Sequence, residues 1–100
     1  MDYNSKRWRK KSKLILKLDI YDQIEKRYGR YVLAEIVHHI YPADKYPEYA
    51  FCAWNLVSVT RKTHNRLHKR DSNDLSDEGK KLMNRTKIGI DWRKKKIETR

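Results

Sequence analysis

The sequence predicts a small α+β domain on three observations. An apolar stripe at helical spacing lies near the N-terminus. Two short apolar, β-branched runs flank a loop rich in proline and aromatics. A polar helical stretch follows the second run directly. Taken in order, residues 12–28 form the first predicted helix: Ser12 is placed as its N-cap, Leu14, Leu18, Tyr21 and Ile24 keep the stripe, and Gly29 supplies the stop. Residues 31–38, Tyr-Val-Leu-Ala-Glu-Ile-Val-His, read as a strand. Residues 40–54 hold Pro42, Pro47 and several aromatics and read as an ordered loop. Residues 55–59, Asn-Leu-Val-Ser-Val, read as a second strand. A polar helix runs from Thr60 to about Arg70, residues 71–73 break it, and Ser76 with Gly79 opens a last short helix ending near Thr86.

No internal repeat or Pro/Gly/Ser-rich linker divides the 100 residues, which predicts one domain at 12–86 between a basic arm (1–11) and a basic tail (87–100). Cys52 is the only cysteine, so a disulfide framework is excluded and a reducing, intracellular setting is expected. No apolar run approaches the roughly 20 residues that span a bilayer, and no apolar signal core follows the first residues. A membrane partner is therefore not expected.

The net charge of +12 points instead to a polyanion, most often nucleic acid. Lys6, Arg7, Arg9, Lys10, Lys11 and Lys13 crowd around Trp8, and Arg93, Lys94, Lys95 and Lys96 follow Trp92. Basic clusters holding an aromatic can clamp phosphates and stack on bases. They also read, equally well, as solvated tails.

All four histidines lie between positions 38 and 68. His64 and His68 are four apart on the predicted helix, which puts both imidazoles on one face within reach of one metal ion. His38 and His39 end the first strand, where neighbours point to opposite sides. One of them shares the metal with the helix pair, and the other stays free as a general base. Three protein ligands leave open positions for water or substrate, which marks a catalytic metal site. Either histidine pair alone reads as ordinary surface decoration. Two pairs in one strongly basic small domain do not.

The stretches Val37-His38-His39-Ile40-Tyr41-Pro42, Trp54-Asn55-Leu56 and Thr63-His64-Asn65-Arg66-Leu67-His68 resemble those of HNH endonucleases, particularly the small phage-encoded type. The likeness extends from about Trp8 to about Thr86 through Trp8-Arg9-Lys10-Lys11, Ile15-Leu16-Lys17 and residues 75–79. It implies the ββα-metal fold, with its core at about 31–70. It implies that His39 is the general base, that His38, His64 and His68 hold the metal, and that Asn55 fixes the loop between the strands without binding metal. It implies one divalent ion (Mg²⁺, Mn²⁺, Ni²⁺ or Zn²⁺) and hydrolysis of DNA phosphodiesters, leaving a 5′ phosphate and a 3′ hydroxyl. Arg61, Lys62, Arg66 and Lys69 on the ligand helix, with Arg9 and Lys10, are then the expected phosphate contacts. A place in the cytoplasm of a bacterial host and work beside phage packaging proteins follow from the resemblance alone.

The sequence departs from many such proteins in one respect. Positions corresponding to their two Cys-x-x-Cys pairs are Gln23, Lys26, Thr60 and Thr63, so a structural zinc held by four cysteines is not expected. Apolar packing by Leu14, Leu18, Tyr21, Ile24, Tyr28, Leu33 and Ile36 is expected to hold the N-terminal helix in its place. Two rival readings remain: a DNA-binding module stapled by a structural metal, and a nuclease acting on RNA.

Overall fold

The computed structural model describes residues 1–97, with side chains described as far as residue 94. Helix α1 (Lys6–Asp19) starts earlier than the sequence predicts, because Ser5 and not Ser12 is its N-cap; the Ser5 hydroxyl accepts the Trp8 N–H at 3.1 Å. Ser12 lies inside the helix and donates to the Arg9 carbonyl. The supposed basic arm is thus largely helix, and Trp8 is buried in it.

The buried face of α1 is Trp8, Ile15 and Asp19. Leu14 and Leu18 lie roughly 100° around the helix from that face at 3.6 residues per turn, and they are 56% and 60% exposed. The chain leaves α1 through Ile20 at φ 66°, and Asp22 caps the single-turn helix α2 (Gln23–Lys26). Gly29, at φ 78°, makes the turn that ends this segment, a conformation that favours glycine.

Strand β1 is Ile36–His39, shorter than residues 31–38 predict. The preceding segment pairs backward instead: the Asp22 N–H donates to the Val32 carbonyl and the Ala34 N–H to the Ile20 carbonyl. Tyr31, Val32 and Leu33 are therefore ordered yet exposed, as is Tyr28. Residues 40–54 form the expected loop, tightened by 3₁₀ turns at Pro47–Tyr49 and Ala53–Asn55. Strand β2 (Leu56–Val59) pairs antiparallel with β1, with His38 opposite Val57 and His39 opposite Leu56.

Helices α3 (Arg61–Leu67) and α4 (Asp77–Arg85) complete four helices and a two-stranded sheet among the described residues. Thr60 caps α3 and Ser76 caps α4 through their hydroxyls. A Cβ at Gly79 would run into the Leu67 carbonyl, so glycine there lets α4 approach the end of α3. The sheet is sandwiched. On one face Leu56 packs with Trp8 and Ile15 of α1; on the other Val57 and Val59 pack with Ile24, Ile40, Leu67 and Leu82.

Apolar packing alone does not hold the N-terminal segment. Of the seven residues expected for that task only Ile24 is fully buried, while Tyr21 and Ile36 are half-buried. Two buried carboxylates share the work. Asp22 accepts from the N–H groups of Ile24, Glu25 and Thr60 and from the Thr60 hydroxyl, which ties α2 to the start of α3. Asp19 binds Arg93 through two hydrogen bonds of 2.6 and 2.9 Å. Up to that arginine the supposed basic tail is therefore part of the fold, and its Lys95 and Lys96 side chains lie outside the described residues. No helix among the described residues is long and apolar enough to cross a membrane.

Candidate metal centre and its surroundings

Strand alternation divides the two adjacent histidines. His38 shares its face of the sheet with Val57 and points toward α3, where its ring lies 5.2 Å from His64 and 5.1 Å from His68, centroid to centroid. One nitrogen from each of these three rings lies within 4.8 Å of the others, close enough to hold a metal ion. His38 is 1% exposed, and neither of its ring nitrogens has a hydrogen-bond partner.

The helix pair differs from the expected geometry. Helix α3 ends at Leu67, so His68 is not helical; a bridge to Leu75 holds it in extended backbone. Its Nδ1–H donates to the Asn73 carbonyl at 3.0 Å, which leaves Nε2 as the lone-pair nitrogen of the neutral ring. That Nε2 faces His64 Nε2 at 3.1 Å. Two imidazole nitrogens bonded to one ion at about 2.0–2.1 Å would sit roughly 3 Å apart. The backbone carbonyl behind His68 is the usual device for fixing a ligand's tautomer.

His38 and His64 are also in the right protonation state. Burial pushes His38 well below its ordinary value, and His64, His68 and His39 push the same way. His64 is lowered to about 4, first by burial and then by His68 and His39. Both rings are neutral near pH 7, as metal ligation requires.

His39 points to the other side of the strand. Its ring stacks on Trp8 at 4.7 Å, and Tyr3 meets its edge. A carbonyl oxygen can only accept, so the 3.0 Å contact between His39 Nε2 and the Ala50 carbonyl places the proton on Nε2. Nδ1 then carries the lone pair, with no protein partner among the described residues. Burial lowers its pKa more than the Ala50 contact raises it. Despite facing away, His39 lines the same cleft of about 640 Å³ as the three clustered histidines.

Asn55 is fully buried and ties the loop together. Its Oδ1 accepts the Tyr41 N–H at 2.7 Å, and its Nδ2 donates to the carbonyls of Tyr41 and Tyr49. The segment that supplies Ala50 is thereby fixed against the end of β1.

The basic residues sort by position. Trp8, Ser12 and Leu16 of α1 line the cleft, and Arg9 and Lys13 stand next to that stripe on the helix wheel. Arg61 stands on the His64 side of α3, whereas Lys62 lies on the far side, as Lys10 does on α1. Arg66 is not a free phosphate contact: it is paired with Glu25 at 3.5 Å and Glu78 at 3.4 Å, and those bonds raise its pKa against the opposing effect of burial. Lys69 lines a neighbouring hollow and not the histidine cleft.

Sequence reasoning missed Trp8 as the wall behind His39, although its spacing with Ile15 and Asp19 marks a helix face once Ser5 is taken as the cap. It also missed the carbonyls of Ala50 and Asn73, which carry no side-chain signal. No family model, curated relative or solved structure matches the chain.

Proposed function

We propose that this protein is a metal-dependent endonuclease of the HNH type that hydrolyses DNA phosphodiesters. The observation that carries the proposal is the division at positions 38 and 39. Three imidazoles converge with a partnerless, buried His38 among them, and a fourth stands beside them with its lone pair on Nδ1. The order strand, loop, strand, helix across residues 36–67, with Asn55 binding the loop, supports the ββα-metal fold for this centre.

In this reading His38, His64 and His68 hold one divalent ion, which when bound supplies positive charge beside the phosphate being cleaved. Nitrogen donors suit Zn²⁺ and Ni²⁺; Mg²⁺ and Mn²⁺ would rely more on phosphate and water oxygens. His39 Nδ1 takes a proton from the attacking water. The bond from phosphorus to the 3′ oxygen breaks, leaving a 5′ phosphate and, after protonation by solvent, a 3′ hydroxyl. Trp8 and the Ala50 carbonyl fix the ring of the base, and Asn55 fixes the loop that carries Ala50. Arg9 of α1 and Arg61 of α3, each on a helix that lends a side chain to the cleft, would contact backbone phosphates, whose recognition is independent of sequence.

The test is nicking of supercoiled plasmid in EDTA and with Mg²⁺, Mn²⁺, Ni²⁺ or Zn²⁺ added. Wild type is expected to cut only with metal, and His39→Ala to lose at least 100-fold in rate, the scale of general-base catalysis at roughly 10²–10⁴-fold. His39→Ala should still bind the metal. Full cutting by His39→Ala would remove the assigned base; DNA binding without cleavage under every ion would favour a metal-stapled binding module. Cleavage of RNA in preference to duplex DNA would change the substrate.

A further inference from the structure

A second hollow of about 360 Å³ adjoins the histidine cleft. Pro42, Asp44 and Asn73 line both, so these residues stand between two neighbouring spaces. Three lysines reach the second hollow from three separate parts of the fold. Lys45 comes from the loop after β1, Lys69 from the turn after α3, and Lys80 from α4. All three are exposed, and among the described residues none is in an ion pair. Asp44 and Asp74 share the lining, so the charge there is three ammonium groups against two carboxylates, before any polyanion arrives.

A strand cut at the histidines must continue past them, with a negative charge at every nucleotide. On the α1 side Arg9 and Lys13 stand, by helical spacing, next to the cleft-lining stripe of Trp8, Ser12 and Leu16. On the far side the path leads past Asn73 toward Lys69. Tyr46 offers an aromatic surface in the same hollow, although one face of its ring already stacks on Tyr49. The wall between the two spaces is also the wall that orients a ligand, since the Asn73 carbonyl fixes the His68 ring.

We infer that the hollow of Lys45, Lys69 and Lys80 seats the DNA strand next to the scissile phosphate, through ammonium contacts to its backbone. This inference rests on the nuclease reading and adds two residues, Lys45 and Lys80, that no motif points to.

The experiment compares Lys45→Ala/Lys80→Ala with Lys17→Ala/Lys26→Ala, which removes the same charge away from both hollows. Binding of a fluorescein-labelled DNA oligonucleotide is followed by anisotropy in EDTA over a salt series, and plasmid nicking is followed with Mn²⁺. Deleting one ammonium–phosphate pair should make the log–log salt slope shallower by about 1 and weaken binding about tenfold at 0.1 M salt. The hollow variant is expected to show both effects for two such pairs, with KM raised and kcat little changed. The control pair should show neither beyond about twofold. Equal behaviour of the two variants overturns the inference and leaves the nuclease reading standing. If wild type cuts under no ion, the nuclease reading fails on its own, and the anisotropy difference still decides whether the lysines hold DNA. Absence of any DNA binding by wild type overturns both.

Discussion

His38 takes two ring nitrogens into the interior and gives neither a partner. A buried polar group left unmade costs about 1–3 kcal/mol. Nothing in the packing of β1 asks for an imidazole there, since Val57 opposite it is apolar and a leucine has similar bulk. The cost makes sense as readiness for a ligand. His38→Leu is therefore expected to match or exceed wild-type stability in EDTA, by up to about 1–3 kcal/mol. For a domain of this size, each kcal/mol moves Tm by about 4–8 °C. Zinc at about 100-fold over its Kd should stabilise wild type by roughly 2.7 kcal/mol and the variant hardly at all. Thermal unfolding in EDTA and in zinc checks both; equal zinc shifts in the two proteins would remove His38 from the ligand set. At this scale much was legible, because two-residue alternation in a strand alone separates His38 from His39. The tautomers were not, because backbone carbonyls set them.

At the scale of elements, Asp22 joins what propensity cannot. Its carboxylate caps α2 and also receives the Thr60 N–H and hydroxyl at the start of α3. Burial pushes its pKa up, but hydrogen bonds involving Thr63, Glu25 and Thr60 outweigh that and hold it below its ordinary value of 3.8. A folded pKa below the unfolded one means stability that is complete above pH 3.8 and lost as pH falls through the lower folded value. Asp22→Asn presents an amide where two donors need an acceptor, so a loss of about 1–3 kcal/mol at pH 7 is expected. Its stability should also fall less steeply than that of wild type below about pH 4, where the carboxylate begins to protonate. Denaturant melts at pH 7 and pH 3 measure this, and parallel losses in the two proteins would show that the carboxylate does not couple the elements. The sequence shows why this joint was hard to read. Leu14, Leu18 and Leu33 have the right composition for a core, yet their faces are turned outward by a helix that starts at Ser5 and by a segment that pairs with residues 20–22. Hydrophobic spacing finds a helix; it fixes the buried face only once the cap is known.

For the molecule as a whole, closure depends on a residue that composition assigns to a tail. Arg93 sends its Nε and Nη2 to Asp19 at the end of α1, Nη1 to the Ala53 carbonyl and Nη2 to the Leu56 carbonyl. Together with a contact to Asp91, every guanidinium donor is engaged. The sites joined are the end of α1, the turn before β2 and the first residue of β2, which packs behind Trp8 and therefore behind His39. A run of basic residues gives no hint of which one turns inward, because the partner Asp19 is 74 positions away. Removing one member of a buried ion pair typically costs about 3–5 kcal/mol, because the other is left uncompensated. Arg93→Met should therefore destabilise the protein by about that amount. Asp19→Asn keeps an oxygen for the Ser58 N–H and should destabilise it less than Arg93→Met does. The double variant should be clearly more stable than the sum of the two losses implies, since contacting groups couple. Additive losses in urea melts would mean that the pair does not act as one joint. Because the joint stands behind Leu56 and Trp8 without touching the cleft, Arg93→Met should also retain zinc binding at temperatures where it remains folded.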